Sequence, residues 1–329
     1  MTVESNLKGS TAPRRLSCRL VGTLASALLL VGLCVTATGQ LALRGASSES
    51  ANDVLFHVEV ENAQGSRVSV PKMHAANSKS ASVEFDFDRE YQPGDRIIFN
   101  GPHRMAVRLD DTVPECLIYS PDASPGHLTY EIPYGRAEQQ TGSAYAPEAF
   151  VGTSHRVRFR TLNRHELSAY RNLALNPCDL PLQEQQSAQF FPHASSNSVS
   201  RSLFDFEARN AIDGSSQNGH HGVWPYQSWG PQLRTDIWWK IDFGRLVKLD
   251  KVRLMVRADF PHDSYWKSAE VEFSDGSRVA LRIGGSAEFQ EFHFPARRVS
   301  WFRIAQVVAE DPSKWCSFIE VEAWGKDLP

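Results

Sequence analysis

The sequence predicts an all-β chain: two β-sandwich domains behind an N-terminal export or anchor segment. Three observations carry this. Short runs alternating apolar and polar residues recur through most of the chain. Clusters of Pro, Gly, Asn and Asp separate them. No stretch keeps a helical period. With 329 residues there is room for two domains, and 41% hydrophobic with 22% charged residues is the balance of a folded globular chain. A net charge of −3 leaves no basic footprint for nucleic acid.

Residues 1–44 come first. Arg14, Arg15 and Arg19 precede an uncharged, mostly apolar run from Leu20 to Leu43. A basic start, the apolar "LASALLLVGLCV" and a small-residue exit describe an export signal. The run is also long enough for a bilayer, which takes about 20 residues. A cleaved signal and a membrane attachment through residues 20–43 both fit. Either places the bulk of the chain outside the cytoplasm, secreted or anchored. Residues 45–52 are small and polar, as a linker is.

Residues 53–167 read as the first sandwich. "VLFHVEV" alternates, "NAQG" turns, and "RVSV" returns. "SVEFDFD", "RIIFNG", "MAVRL", "CLIY", "LTYEI" and "HRVRFRT" supply further strands, and "LNRHELSAYRN" holds a short helix or connector. Asp110, Asp111 and Glu115 are candidate hydrolytic carboxylates, but adjacent acids on a strand end point to opposite faces, so a solvated loop is the better reading.

Residues 171–326 read as the second sandwich. In "IWWKIDFG", Ile237, Trp239, Ile241 and Phe243 share one face, as do Val252, Leu254 and Val256 in "KVRLMVRA". "SAEVEFSDGSRVALRI" is a hairpin turning at Asp275-Gly276. "FHF", "SWFRIAQV" and "FIEVEAWG" complete the set. Cys116, Cys178 and Cys316 lie beyond the export segment and allow three pairings, with one thiol left over.

Five motifs of this second block come in a familiar order: "NLALNP", "ARNAIDG", "WWKIDFGR", "VKLDKVRLMVR" and "FIEVEAWG". Together they resemble the discoidin, or coagulation factor V/VIII type C, family, over nearly all of Arg171 to Gly325. The resemblance implies a galactose-binding-like jelly roll. It also implies a binding role, since members of that family, including the family 32 carbohydrate-binding modules, hold sugars, lipid or protein on loops at one end. The first block resembles no family we can name.

Two loops of the second block are rich in ligand-binding chemistry. "HHGVWPYQSWG" carries Trp224, Tyr226 and Trp229. "RADFPHDSYW" carries Arg257, Asp259, His262, Asp263, Tyr265 and Trp266. Aromatic faces and fixed donors and acceptors are what a sugar needs. The plainer alternatives are aromatics that plug the sandwich end and an Arg257 salt-bridged to Asp259 or Asp263. The resemblance further implies a structural Ca²⁺ held by Asp213 and Glu320, with Asn218 as a further candidate, because hard oxygen donors suit that ion.

These readings converge on an exported, non-catalytic carbohydrate-binding protein with a glycan or glycoconjugate partner. The alternatives are a glycan-directed hydrolase that uses the second block for targeting, and an adhesion protein that binds protein or lipid. No catalytic residue is marked: the chain has no Gly-rich phosphate loop, no His-Glu-x-x-His and no Gly-x-Ser-x-Gly.

Overall fold

The computed structural model describes residues 57–328, apart from 70–71, 76–81, 122–127, 134–143, 181–189 and 203. The expected export segment and the 45–52 linker lie outside the described residues. Among those described, no helix is long and apolar enough to cross a membrane.

The first block folds into β1 (His57–Glu61), β2 (Arg67–Ser69), β3 (Lys72–Ala75), β4 (Ser82–Phe87), β5 (Arg96–Asn100), β6 (Arg104–Arg108), β7 (Cys116–Tyr119), β8 (Leu128–Glu131) and β9 (His155–Thr161). They form two antiparallel sheets, β2-β1-β5-β8 and β3-β4-β9-β6-β7. Alternation explains how the sheets face each other. His155, Val157 and Phe159 of β9 are buried, while Arg156 and Arg158 stand outside. Val58, Val60, Ile97 and Phe99 of the first sheet share one core with Met105, Val107, Ile118, Val157 and Phe159 of the second. Every strand expected here forms. β3 is an addition, in a segment without clean alternation.

The short helix is real. Helix α1 (Arg164–Ser168) is fixed by a capping box: the Asn163 carboxamide accepts from the Glu166 amide, and the Glu166 carboxylate accepts from the Asn163 amide. Arg160 ties this helix back to the sheet through Glu166 and Glu115.

The second block comprises β10 (Arg171–Asn172), β11 (His193–Ser196), β12 (Trp239–Val256), β13 (Trp266–Phe273), β14 (Arg278–Arg282), β15 (Gln290–Ala309) and β16 (Phe318–Asp327). They join in the order β10-β16-β12-β15-β13-β14, with β11 on the open flank of β12. Two strands expected as separate, around "WWKIDFG" and "KVRLMVR", fuse into β12; "FHF" and "SWFRIAQV" fuse likewise into β15. Bulges make this workable. Trp239, Ile241, Phe243, Val247 and Leu249 face the core at odd positions; Val252, Leu254 and Val256 face it at even ones. The register shift between Leu249 and Lys251 supplies the extra residue that restores the inward face. The hairpin between β13 and β14 turns at Gly276, which takes φ +82°.

The two blocks keep distinct cores, yet residues 50–329 form one compact unit. Cys178, Leu180 and Phe190, from the second block by sequence, pack into the first core. Tyr119 of β7 exchanges two 2.8 Å backbone hydrogen bonds with Phe191. Arg209 lies 4.6 Å over the Tyr145 ring, and Arg104 donates to the Leu328 carbonyl. Cys116, Cys178 and Cys316 are free and buried thiols.

Asp110 corrects the expectation of a solvated loop. It is buried, and its carboxylate accepts from the Thr112 amide and hydroxyl and from the Phe150 amide. It is a turn anchor. Glu115 is occupied by Arg160, and Asp111 is exposed.

Candidate functional site

The two aromatic-rich loops meet at one end of the second block, but not in the way the sequence suggests. Trp229 and Trp266 are core residues, at 0% and 3% exposure. Their rings lie 5.4 Å apart and both pack on Phe318. The Trp229 indole donates to the Ser198 carbonyl, and its backbone pairs with Phe318 at the start of β16. A ligand reaches neither ring, so both are removed from the binding set. They seat the loops.

Beneath the loop surface lies an ion pair. Arg257, just past β12, donates through Nε and Nη2 to the two carboxylate oxygens of Asp263. Both residues are 3% exposed. Backbone bonds from Arg257 to Ser317 and from Ser264 to Trp315 lace this loop to the segment before β16. The salt-bridged reading of Arg257 therefore holds with Asp263 as partner, and Asp259 is left to other groups.

Asp259 faces imidazoles. His221 Nδ1 stands 2.7 Å from its Oδ2, His220 Nδ1 at 3.8 Å and His262 Nδ1 at 3.9 Å. The His221 contact is the main reason that the Asp259 carboxyl is held below the usual carboxylate range. The His221 and His262 rings stack with centroids 4.5 Å apart and planes within 3°. His262 Nδ1 lies 3.0 Å from Asp263 Oδ1.

Inside this rim is a cavity of about 70 Å³. His221, Arg257 and His262 line it together with Phe206, Trp315 and Ser317, and Ser200 and Arg201 also reach it. Two features mark it. The Ser317 hydroxyl is buried and makes no hydrogen bond among the described residues. Arg201 adopts φ +55°, a left-handed backbone that non-glycine residues seldom take, and such outliers gather at ligand sites. Sequence reading missed His221, Arg201, Phe206, Trp315 and Ser317 as site residues. His221 sits in the aromatic loop, where the Trp and Tyr rings dominate the pattern; the others come from distant segments that no local pattern joins.

The remaining candidates divide. Trp224, 38% exposed, faces a different cleft of about 310 Å³ between the blocks, with Tyr145, Arg209 and Gln227. Tyr226 is half-buried against His220, ring to ring at 5.4 Å. Tyr265 packs over Gly285, where an added Cβ would come within 2.7 Å of its ring.

Asp213 and Glu320 come together beside the cleft that Trp224 faces, which Asp213, Gly214 and Gln227 help to line. Asp213 accepts from the Ser215 amide and the Gln227 carboxamide, while Glu320 accepts from the Gly214 amide. Burial raises both carboxyls above their ordinary values, and Asp213 pushes Glu320 further. The carboxamide oxygen of Gln227 is buried with no partner among the described residues. Two buried carboxylates beside an unpaired amide oxygen are a donor set that fits a hard cation such as Ca²⁺. Asn218 is not positioned by this pair: its carboxamide donates to the Val256 and Ala287 carbonyls.

No protein-family model matches the chain, and no curated protein sequence does. Solved structures similar to it are small modules. Chitosan-binding module 1 of a chitosanase/glucanase from Paenibacillus sp. IK-5 is 21% identical, over 47% of this chain and 98% of the module, at a TM-score of 0.34. A fucose-binding module from Streptococcus pneumoniae is 13% identical, over 50% of this chain and 100% of the module, at 0.34. The family 32 carbohydrate-binding module of C. perfringens NanJ, solved with galactose, is 14% identical, over 40% of this chain and 91% of the module, at 0.31.

Proposed function

We propose that this chain is an exported carbohydrate-binding protein that holds a glycan at the cavity ringed by His221, Arg257, His262, Trp315 and Ser317. The observation that carries the reading is the cavity wall itself: the exposed His262 imidazole, the half-buried His221 imidazole and the half-buried Trp315 indole line it together above the buried Arg257–Asp263 pair. The indole gives the C–H face of a sugar ring an apolar bed, and the imidazoles give its hydroxyls fixed partners. The Arg257–Asp263 pair holds this arrangement rigid without touching the ligand through its paired nitrogens.

The basic and apolar run of residues 14–43 supports action outside the cytoplasm, with residues 20–43 as the export signal. A Ca²⁺ at Asp213 and Glu320 is part of the proposal. It would neutralise two buried carboxylates and hold the Asp213-Gly214 turn against β16.

A glycan array probed with residues 45–329 identifies the ligand. Calorimetric titration of His262→Ala and Trp315→Ala in the presence of chelator then tests the site. Each is expected to keep the parent's melting temperature within a few degrees and to bind about tenfold or more weakly. Binding equal to the parent's in both folded variants would place the glycan elsewhere.

A further inference from the structure

We infer that His221, Asp259 and His262, closed by Asp263, form a site for a divalent transition metal of the Zn²⁺ type at the cavity rim. One ligand atom from each of His221, Asp259, His262 and Asp263 lies within 4.8 Å of the other three. Bond lengths of about 2.0–2.1 Å to nitrogen and carboxylate oxygen set the edges of a tetrahedral zinc site at roughly 3.3 Å. The spacings observed straddle that figure: 2.7 Å from His221 to Asp259, 3.9 Å from Asp259 to His262, and 3.0 Å from His262 to Asp263. The movement needed falls to His221, Asp259 and His262, whose side chains are partly or mostly exposed, while Asp263 stays fixed beneath them.

The donor chemistry selects the metal. Two imidazole nitrogens and two carboxylate oxygens suit Zn²⁺, Ni²⁺ and Cu²⁺, whereas Ca²⁺ and Mg²⁺ take oxygen alone. This separates the site from the all-oxygen pair of Asp213 and Glu320. The surroundings resemble the outer support of metal sites, where ligating carboxylates are themselves held. Arg257 grips both oxygens of Asp263, and the buried pair fixes one ligand from below. Both rings have Nδ1 at a carboxylate, but they stand parallel, so one must turn about its Cβ–Cγ bond to bring both in-plane lone pairs onto one ion. His220 is not a ligand through Nδ1, which accepts the His221 amide proton.

The ion would clamp two loops. His221 belongs to the segment ahead of β12; the other three ligands follow β12. Metal binding would lock the aromatic-rich loop to the loop before β13 at the mouth of the cavity. The inference stands on the cluster itself and does not depend on the saccharide reading.

Zn²⁺ titration of metal-free protein by calorimetry tests it, with Co²⁺ as an absorbing reporter of coordination geometry. One Zn²⁺ per chain, a raised melting temperature and the visible bands of tetrahedral Co²⁺ are expected. His262→Ala and Asp259→Asn should weaken Zn²⁺ binding about tenfold or more. The side chain of His262 is more than half exposed, so that variant is expected to fold. His220→Ala should bind as the parent does. Parent protein that takes up no Zn²⁺, or equal uptake by parent, His262→Ala and Asp259→Asn, would overturn the inference. Glycan titration in chelator is a separate arm: binding that survives there leaves the saccharide reading standing whatever the zinc result.

Discussion

Arg257 and Asp263 form a two-pronged ion pair sealed beneath the loops that carry the candidate site, each only 3% exposed. Removing one partner leaves the other charge buried and unmatched. Asp263→Ala is therefore expected to cost about 3–5 kcal/mol of stability in urea unfolding. Replacing both residues with apolar ones should cost much less than that single change. A single variant as stable as the parent would show that the pair is solvated.

The two tryptophans of the opening loop should behave in opposite ways. Trp229→Ala empties a site at 0% exposure and should lower stability by about 3–5 kcal/mol. Trp224→Ala, on the surface, should change it by no more than about 0.5 kcal/mol. It should also leave binding at the His221–Ser317 cavity unchanged, because Trp224 faces the other cleft. Parallel unfolding curves and glycan titrations separate these outcomes.

Calcium gives a third expectation. If Asp213 and Glu320 hold Ca²⁺ only in the native state, a hundredfold excess over the dissociation constant raises stability by about 2.7 kcal/mol. Melting curves in calcium and in chelator should separate for the parent and coincide for Asp213→Ala. Superimposable parent curves would remove Ca²⁺ from the account.

Asp327 makes acid stability a readable quantity. Its carboxylate pairs with Arg171 at 2.8 Å and Arg245 at 2.6 Å, tying β10, β12 and β16 together. Burial pushes this carboxyl up, but the guanidinium groups outweigh it and hold it below its ordinary 3.8. A depressed folded-state pKa contributes stability above the unfolded value and loses it as pH falls through the folded one. The stability gap between parent and Asp327→Asn should therefore be full near neutrality and shrink below about pH 4. A gap independent of pH across that range would assign Asp327 no electrostatic role.

The sequence by itself determined the all-β class and nearly every strand. These rest on local rules. A period of two and an Asp-Gly turn are complete within a few residues, and β9 or the β13–β14 hairpin needs no distant partner to be read. Whether residues 162–172 hold a helix or a connector is settled only by the structure. The sequence also brought Arg257, Asp259, His262 and Asp263 into one loop, because they are neighbours in the chain. Only the tertiary structure decided which aromatics face water. Trp224 and Trp229 share a loop and a composition, but pairing with Phe318 draws Trp229 under the surface while Trp224 stays out. Tertiary structure also supplied Ser317, Trp315 and His221. The proximity of Ser317 and Trp315 to Arg257 comes from β12 and β16 lying side by side, a contact across many residues whose register is set by bulges and burial rather than by any local signal; His221 arrives on the loop ahead of β12, held by Trp229 against Phe318 and by Asp259.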